Sequence, residues 1–108
     1  MKVNLFTLNQ PEIKVTVDAY FENEEFVVEG YDIGSQVKEL LGDSDYEYIV
    51  KVPKSEVPKM YKLLKVEKGN EKFLLLKIQK MFSGNEAYSK FRDWLEKNNI
   101  EGNGFTWV

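Results

Sequence analysis

The chain has 108 residues, of which 43% are hydrophobic and 14% aromatic; this is enough to fold one domain, but the chain is too short for two separate cores. It contains no cysteine and no histidine, which excludes disulfides, thiolate chemistry and the commonest zinc ligand. The net charge of −3 is unevenly distributed: residues 1–50 carry 11 acids and 3 lysines, whereas residues 51–81 carry 9 lysines and 3 acids. We therefore expect a single domain over residues 1–108 with an acidic first half and a basic middle.

The N-terminal third of the chain has the pattern of three strands. From Glu12 the run EIKVTVDAYF alternates strictly between apolar and polar residues, as in a half-buried strand. The segments KVNLFTL before it and EEFVVEGY after it are also β-prone, and both connections are short and polar. Short connections between strand-like runs predict an antiparallel meander.

The pattern changes after Gly30. The segment DIGSQVKELLG has helical spacing and ends on Gly42, a common residue at a helix C-terminus, so it predicts a short helix. The segment YEYIVKV then predicts a fourth strand, which ends at Pro53 because proline cannot donate to the ladder. The apolar residues of the predicted short helix are Ile33, Val37, Leu40 and Leu41.

Three further helices are predicted after the fourth strand. The first has Ser55 as its N-cap and Pro58 in its first turn. The second, EKFLLLKIQKMF, has an apolar arc so wide that much of its circumference should be covered. The third, EAYSKFRDWLEKNN, is apolar on one side, and the terminal FTWV is either a last strand or a packed tail. The wide arc consists of Phe73, Leu74, Leu76, Ile78, Met81 and Phe82.

Strands followed by helices predict an α+β fold. We expect an antiparallel sheet of four to five strands in a meander, with a short helix before the fourth strand and about three C-terminal helices packed on one face. In such a fourth strand Tyr46 and Tyr48 face inward, whereas Asp45 and Glu47 face water.

The sequence has no membrane or targeting pattern. No window approaches the roughly 18 uninterrupted apolar residues that a spanning helix needs, and the N-terminal segment lacks the apolar core of a signal peptide. These patterns predict a cytoplasmic protein without a membrane partner.

The segment GDSDYEY, residues 42–48, concentrates three carboxylates. A calcium loop beginning at Asp43 would need glycine at Tyr48 and glutamate at Lys54, so that motif is not met. A metal-dependent enzyme site built from Asp43, Asp45 and Glu47 stays an alternative. The favoured interpretation is a turn followed by a solvated strand face, with no metal and no cofactor.

Three segments together resemble a group of small bacterial proteins: GDSDYEY leading into a strand, the helix-like FRDWLEKNNI, and the aromatic terminus FTWV. The similarity covers roughly the second half of the chain and implies no reaction or catalytic residue. Small acidic bacterial proteins of this kind include immunity proteins that neutralise toxins, so the resemblance implies an immunity-protein-like role.

The lysines of residues 51–81 raise the alternative of a nucleic-acid-binding module, because a basic helical face can follow a phosphate backbone. Two features disfavour nucleic acid: Arg92 is the one arginine of the chain, and the chain is acidic as a whole. A solvated helix surface is the simpler interpretation. The lysines concerned are Lys59, Lys62, Lys65, Lys77 and Lys80.

The acidic half gives the favoured functional hypothesis. If its carboxylates gather on the exposed sheet face, they form a surface that attracts a basic protein, such as a toxin. The alternative is that these charges serve only solubility and edge protection. The hypothesis is a non-enzymatic protein-binding module, with Tyr46 and Trp107 as further anchors if exposed and with the oligomeric state left open. Its predicted partner-binding residues are Asp18, Tyr20, Glu29, Tyr31, Asp43, Asp45 and Glu47.

Overall fold

The computed structural model describes residues 1–35 and 45–107, except for the side chain of residue 107. One antiparallel sheet has its strands in sequence order, which confirms the predicted α+β meander, and FTWV contributes to its last strand. The strands are β1 (Lys2–Asn9), β2 (Lys14–Glu22), β3 (Glu25–Ile33), β4 (Asp45–Val52) and β5 (Asn103–Trp107). The helices are α1 (Val57–Leu64), α2 (Glu71–Met81) and α3 (Ala87–Lys97).

The core lies between one face of the sheet and the helices. Strict alternation brings Ala19, Val28 and Val50 side by side on this face, where each is almost fully buried. Met60 of α1 and Phe91 of α3 belong to the same apolar cluster and have no exposed surface. This burial of apolar surface is the main favourable term in folding. None of the helices in the described ranges is long and apolar enough to cross a membrane.

Strand β3 extends further than the sequence predicts. Asp32 and Ile33, predicted as the start of the short helix, instead pair with Tyr46 and Asp45 of β4. Continued pairing satisfies their backbone groups in the sheet, so tertiary contact overrides the local helical spacing. Beyond them, Gly34 forms a bend and Ser35 has helical backbone, whereas residues 36–42 of the predicted short helix lie outside the described residues.

The start of α1 differs from the prediction in its cap. Glu56, not Ser55, occupies the N-cap position, and it makes no side-chain cap bond. The Pro53 carbonyl accepts from the N–H groups of Glu56 and Val57 at 2.8 and 3.1 Å, so a backbone turn starts the helix without a Ser55 cap. Pro58 lies in the first turn, as predicted.

Helix α2 is buried on one side only. Leu74, Leu75 and Ile78 are buried, but Phe73 is 59% exposed, Leu76 37% and Met81 42%. The prediction that much of its circumference is covered is therefore wrong. The helix packs against β1 and β2 with one stripe, and its opposite side faces away from the sheet.

The outer edge of β1 is covered by the helical layer. A bulge interrupts its pairing between Asn4 and Phe6. Next to it, the Gln79 side chain donates to the Asn4 carbonyl at 2.9 Å, and the Gly84 N–H donates to the Leu5 carbonyl at 3.3 Å. Bulges and covering groups of this kind prevent an edge strand from pairing with another chain.

A close contact between strands makes Gly30 necessary. The Tyr48 ring of β4 lies over Gly30 of β3, so that an added Cβ would be 1.8 Å from Tyr48 Cε2. The Tyr48 hydroxyl donates to Asp32 Oδ1 at 2.7 Å, which holds the ring in this position. Glycine inside a strand often marks such an approach of another group.

The substitution Gly30→Ala should therefore destabilise the protein by about 1–3 kcal/mol, because the ring must leave its place or the strands must separate. Urea denaturation measures this change. The matched control is Gly104→Ala, whose Cβ would approach the flexible end of the Arg92 side chain at 3.0 Å; it should change stability by no more than about 0.5 kcal/mol. Equal effects of the two substitutions would contradict the role assigned to Tyr48.

Candidate functional site

The sheet surface opposite the helices is the candidate site, and we call it the open face. It consists of the outward-pointing residues of the strands, which the register aligns in rows. In one row Asp18 lies opposite Glu29, Glu29 opposite Ile49, and Ile49 opposite Phe105. In the next row Tyr31 lies opposite Glu47. The period of two along each strand thus brings together acids that are far apart in sequence.

The direct cross-strand pair of Asp18 and Glu29 is the main electrostatic feature of the open face. Asn4 Nδ2 donates to Asp18 Oδ1 at 3.0 Å, and the Tyr20 hydroxyl donates to Glu29 Oε2 at 2.9 Å. Both donors are neutral, and none of the ion pairs found among the described residues involves either carboxylate. Like charges directly opposite on a sheet are destabilising, so this pair lowers the stability of the folded protein.

Apolar side chains lie beside these acids on the same face. Val27 and Ile49 are almost fully covered by their neighbours, whereas Phe105 is 51% exposed. The Lys2 ammonium lies 5.1 Å from the centre of the Tyr20 ring. Burial and the Glu29 carboxylate both raise the pKa of the Tyr20 hydroxyl, which therefore stays a hydrogen-bond donor. Aromatic and apolar groups surrounded by charge are typical of protein interfaces.

The structure places most predicted partner-binding residues on the open face. These are Asp18, Tyr20, Glu29, Tyr31, Asp45 and Glu47. Asp43 lies outside the described residues. Tyr46 lies on the face towards the helices and therefore cannot share a surface with the acids, whereas the backbone of residue 107 pairs with Glu47. Sequence reasoning missed Phe105 and Ile33, which strand alternation would have revealed once β5 and the end of β3 were assigned.

The carboxylates do not form a metal centre in the described part of the chain. No group of three or more Asp or Glu side chains that could hold an ion occurs in residues 1–35 and 45–107. Asp45 and Glu47 both point to the open face, and their third predicted partner, Asp43, falls in the undescribed segment. The metal-dependent alternative stays a prediction.

The lysines proposed for nucleic-acid binding are divided between two helices. Lys59 of α1 is engaged, because its ammonium group donates to Glu56 Oε1 at 2.9 Å and to the Asn99 carbonyl at 3.2 Å. Lys62 and Lys65 are exposed at the end of α1, and Lys77 and Lys80 are exposed on α2. The nucleic-acid alternative also stays a prediction.

A second polar cluster, which sequence reasoning missed, lies on the helix-facing side of β3 and β4. The Tyr48 ring lies 4.7 Å from that of Tyr88 and 5.4 Å from that of Tyr46. Burial raises the pKa of the Asp32 carboxyl, although the hydrogen bond from Tyr48 acts in the opposite direction. Tyr48 thus joins the Asp32 carboxyl to the rings of Tyr46 and Tyr88 and ties the end of β3 to the start of β4. The sequence feature that could have indicated this cluster is Gly30, because a glycine inside a strand often marks the close approach of another group.

A groove of about 760 Å³ lies between the β2–β3 hairpin and α1. Phe21, Pro53 and Tyr61 are among its apolar lining residues, and an ion pair between Lys54 and Glu24 at 2.6 Å stands at its rim. Both partners of that ion pair are exposed, so it contributes little stability. The groove contains no histidine or cysteine, and we assign it no function.

The chain matches no protein-family model, no curated protein and no solved structure.

The raised pKa of Asp32 predicts a pH-dependent stability difference. The folded state binds this proton more tightly than the unfolded chain, where the pKa of aspartate is about 3.9. The ionised carboxylate therefore costs stability at neutral pH, and the cost disappears once the pH is below both values. Asp32→Asn should be more stable than wild type at neutral pH and lose this advantage near about pH 3. Urea denaturation at several pH values tests this, and an advantage that grows on acidification would contradict it.

The repulsion between Asp18 and Glu29 can be measured by a double-mutant cycle. Asp18→Asn and Glu29→Gln keep the acceptors for Asn4 and Tyr20, so each single change should stabilise the protein by about 0.2–1 kcal/mol at low salt. The double variant should gain no more than either single variant, because one change already removes the repulsion. The gain should shrink at high salt. Strictly additive effects would show that the two carboxylates do not interact.

Proposed function

We propose that the protein is a non-enzymatic cytoplasmic binding module of the immunity-protein type, whose open face masks a basic partner protein. The acids Asp18, Glu29, Asp45 and Glu47 supply attraction and specificity, and Tyr20 and Tyr31 supply contact area. Asp43 stands two residues before β4 in sequence, and its carboxylate is included in this set. The partner class that fits is a protein with a cationic surface, as in a nuclease toxin.

The observation that carries this proposal is the Asp18–Glu29 pair. A sheet face that served only solubility would tend to place opposite charges across from each other, because such pairs stabilise the sheet. Here two carboxylates are directly opposite, oriented by neutral donors. A cationic group from a partner would neutralise both carboxylates at once. The repulsion that destabilises the free protein would then be removed on binding and would favour the complex.

Charged and apolar residues of this face have different roles in binding. Exposed acids raise the rate of encounter with a basic protein and exclude acidic ones. Affinity comes chiefly from buried anchors. The anchors available here are Tyr31, opposite Glu47 on the central strand β3, and the half-exposed Phe105, opposite Ile49 on the edge strand β5. The open face contains both elements within neighbouring rows.

The test is capture of basic proteins by immobilised protein in lysate of the encoding cells. The wild type should retain a protein of high isoelectric point, and the variant Asp18→Asn/Glu29→Gln should lose it by about ten-fold or more, since removal of charged contacts costs more than the 1.4 kcal/mol of a tenfold change. Mass spectrometry identifies the retained protein. Retention should fall with salt because exposed charges are screened.

The matched control is Glu67→Gln/Glu96→Gln, which makes the same change in net charge at two exposed residues away from the open face. It should retain the basic protein as the wild type does. If both variants lose the basic protein equally, its retention depends on net charge and not on the open face. If the wild type retains no basic protein, the proposed function is contradicted.

A further inference from the structure

Exposed apolar residues are concentrated on two surfaces. Seven large hydrophobic side chains are exposed among the described residues, and five of them lie on the open face or on the outer side of α2. Ile33 and Phe105 belong to the open face. The outer side of α2 carries Phe73, Leu76 and Met81. Soluble proteins usually expose such residues singly, so their grouping points to contact surfaces.

The two surfaces have opposite charge. Lys77 and Lys80 lie between the exposed apolar residues of α2, with Lys72 beside them, and residues 72–85 contain no acid. On the open face acids outnumber lysines beside its own apolar residues. The acids include Asp18, Glu29, Asp45 and Glu47, and the lysines are Lys2, Lys14 and Lys51. A basic, apolar helix surface is thus complementary to an acidic, apolar sheet surface of the same chain.

The two surfaces are also of types that commonly pack on one another. The open face is a sheet surface with no helix on it in the described part of the chain, and the outer side of α2 is a helix surface with no sheet against it. Helices packed on both faces of a sheet form a standard three-layer arrangement. A helix from a second copy would complete such an arrangement.

We infer that the protein self-associates head to tail, with the outer side of α2 from one copy packed on the open face of the next. The two surfaces lie on opposite sides of the molecule, because α2 uses its inner side to pack on the other face of the sheet. A closed dimer that satisfies both contacts is therefore impossible. The contact is heterologous and builds a ring or an open chain of copies.

This inference rests on the proposed function in one respect: both require the open face to be a binding surface. Because one face cannot hold two occupants, a basic partner and the α2 of a second copy compete for it. Partner binding should then shorten the assemblies and yield single copies with their open faces occupied.

The first experiment is sedimentation velocity of the wild-type protein over a range of concentrations. At low salt the mean mass should rise with concentration above the 12.7 kDa of one copy. It should fall back at high sodium chloride, since the screening length drops from roughly 30 Å at about 0.01 M to roughly 3 Å at about 1 M. A mass of one copy at every concentration would overturn the inference.

The second experiment uses two variants that each lose one surface. Phe73→Ser/Lys77→Gln/Lys80→Gln alters only exposed side chains of α2, and Asp18→Asn/Glu29→Gln alters the open face. Each variant alone should stay monomeric, with circular dichroism showing that it is folded. Mixed in equal amounts they should form a complex of about two copies and no larger, because each still has one intact surface. Assembly of either variant alone, or no complex in the mixture, would overturn the inference.

The α2 variant also separates the two proposals. Its open face is intact, so the capture experiment performed with it tests partner binding in the absence of self-association. Retention of a basic protein together with a monomeric wild type would refute self-association and leave the proposed function standing. A complex in the mixture of variants, together with no captured basic protein, would refute the proposed function and leave self-association standing.

Discussion

The pairing of β2 with β3 aligns Ala19 with Val28 and, one residue away, Asp18 with Glu29. The first pair is fully buried in the core, and the second faces outward. A shift of register by one residue would exchange the two faces and bury the carboxylates, whose desolvation costs far more than their repulsion at the surface. The hydrophobic core therefore enforces an acidic outer row, and the helices, β4 and β5 all take their positions from this alignment.

The register of β3 with β4 explains in turn why polar groups collect where β3 ends and β4 begins. Gly30 leaves room for the Tyr48 ring, and the ring reaches back to Asp32. This contact closes the core on the helix side with a phenol, which supplies large apolar area and one satisfied hydroxyl. On the open face Val27 and Ile49 are buried as well, although they lie outside the core cluster. One side of the sheet is thus covered by the helices, whereas the described part of the chain places no helix on the other side.

Local pattern predicted the strands, the later helices and the outward direction of Asp45 and Glu47, because alternation and helical spacing are properties of neighbouring residues. It failed where contacts distant in sequence decide the outcome. Ile33 joins β3 because β4 is there to pair with it. Phe73 and Met81 stay exposed because the sheet covers one stripe of α2. The juxtaposition of Asp18 with Glu29 depends on a register that neither strand specifies alone.

The order of the strands also bears on synthesis. Strands β1 to β4 occupy residues 2–52, whereas β5, which covers the outer edge of β4, begins only at residue 103. Roughly fifty residues must therefore emerge from the ribosome while the backbone of β4 has no neighbour on that side, a period in which unpaired strand edges favour aggregation. The nascent chain should depend on chaperones or on early docking of α1 until its last strand arrives.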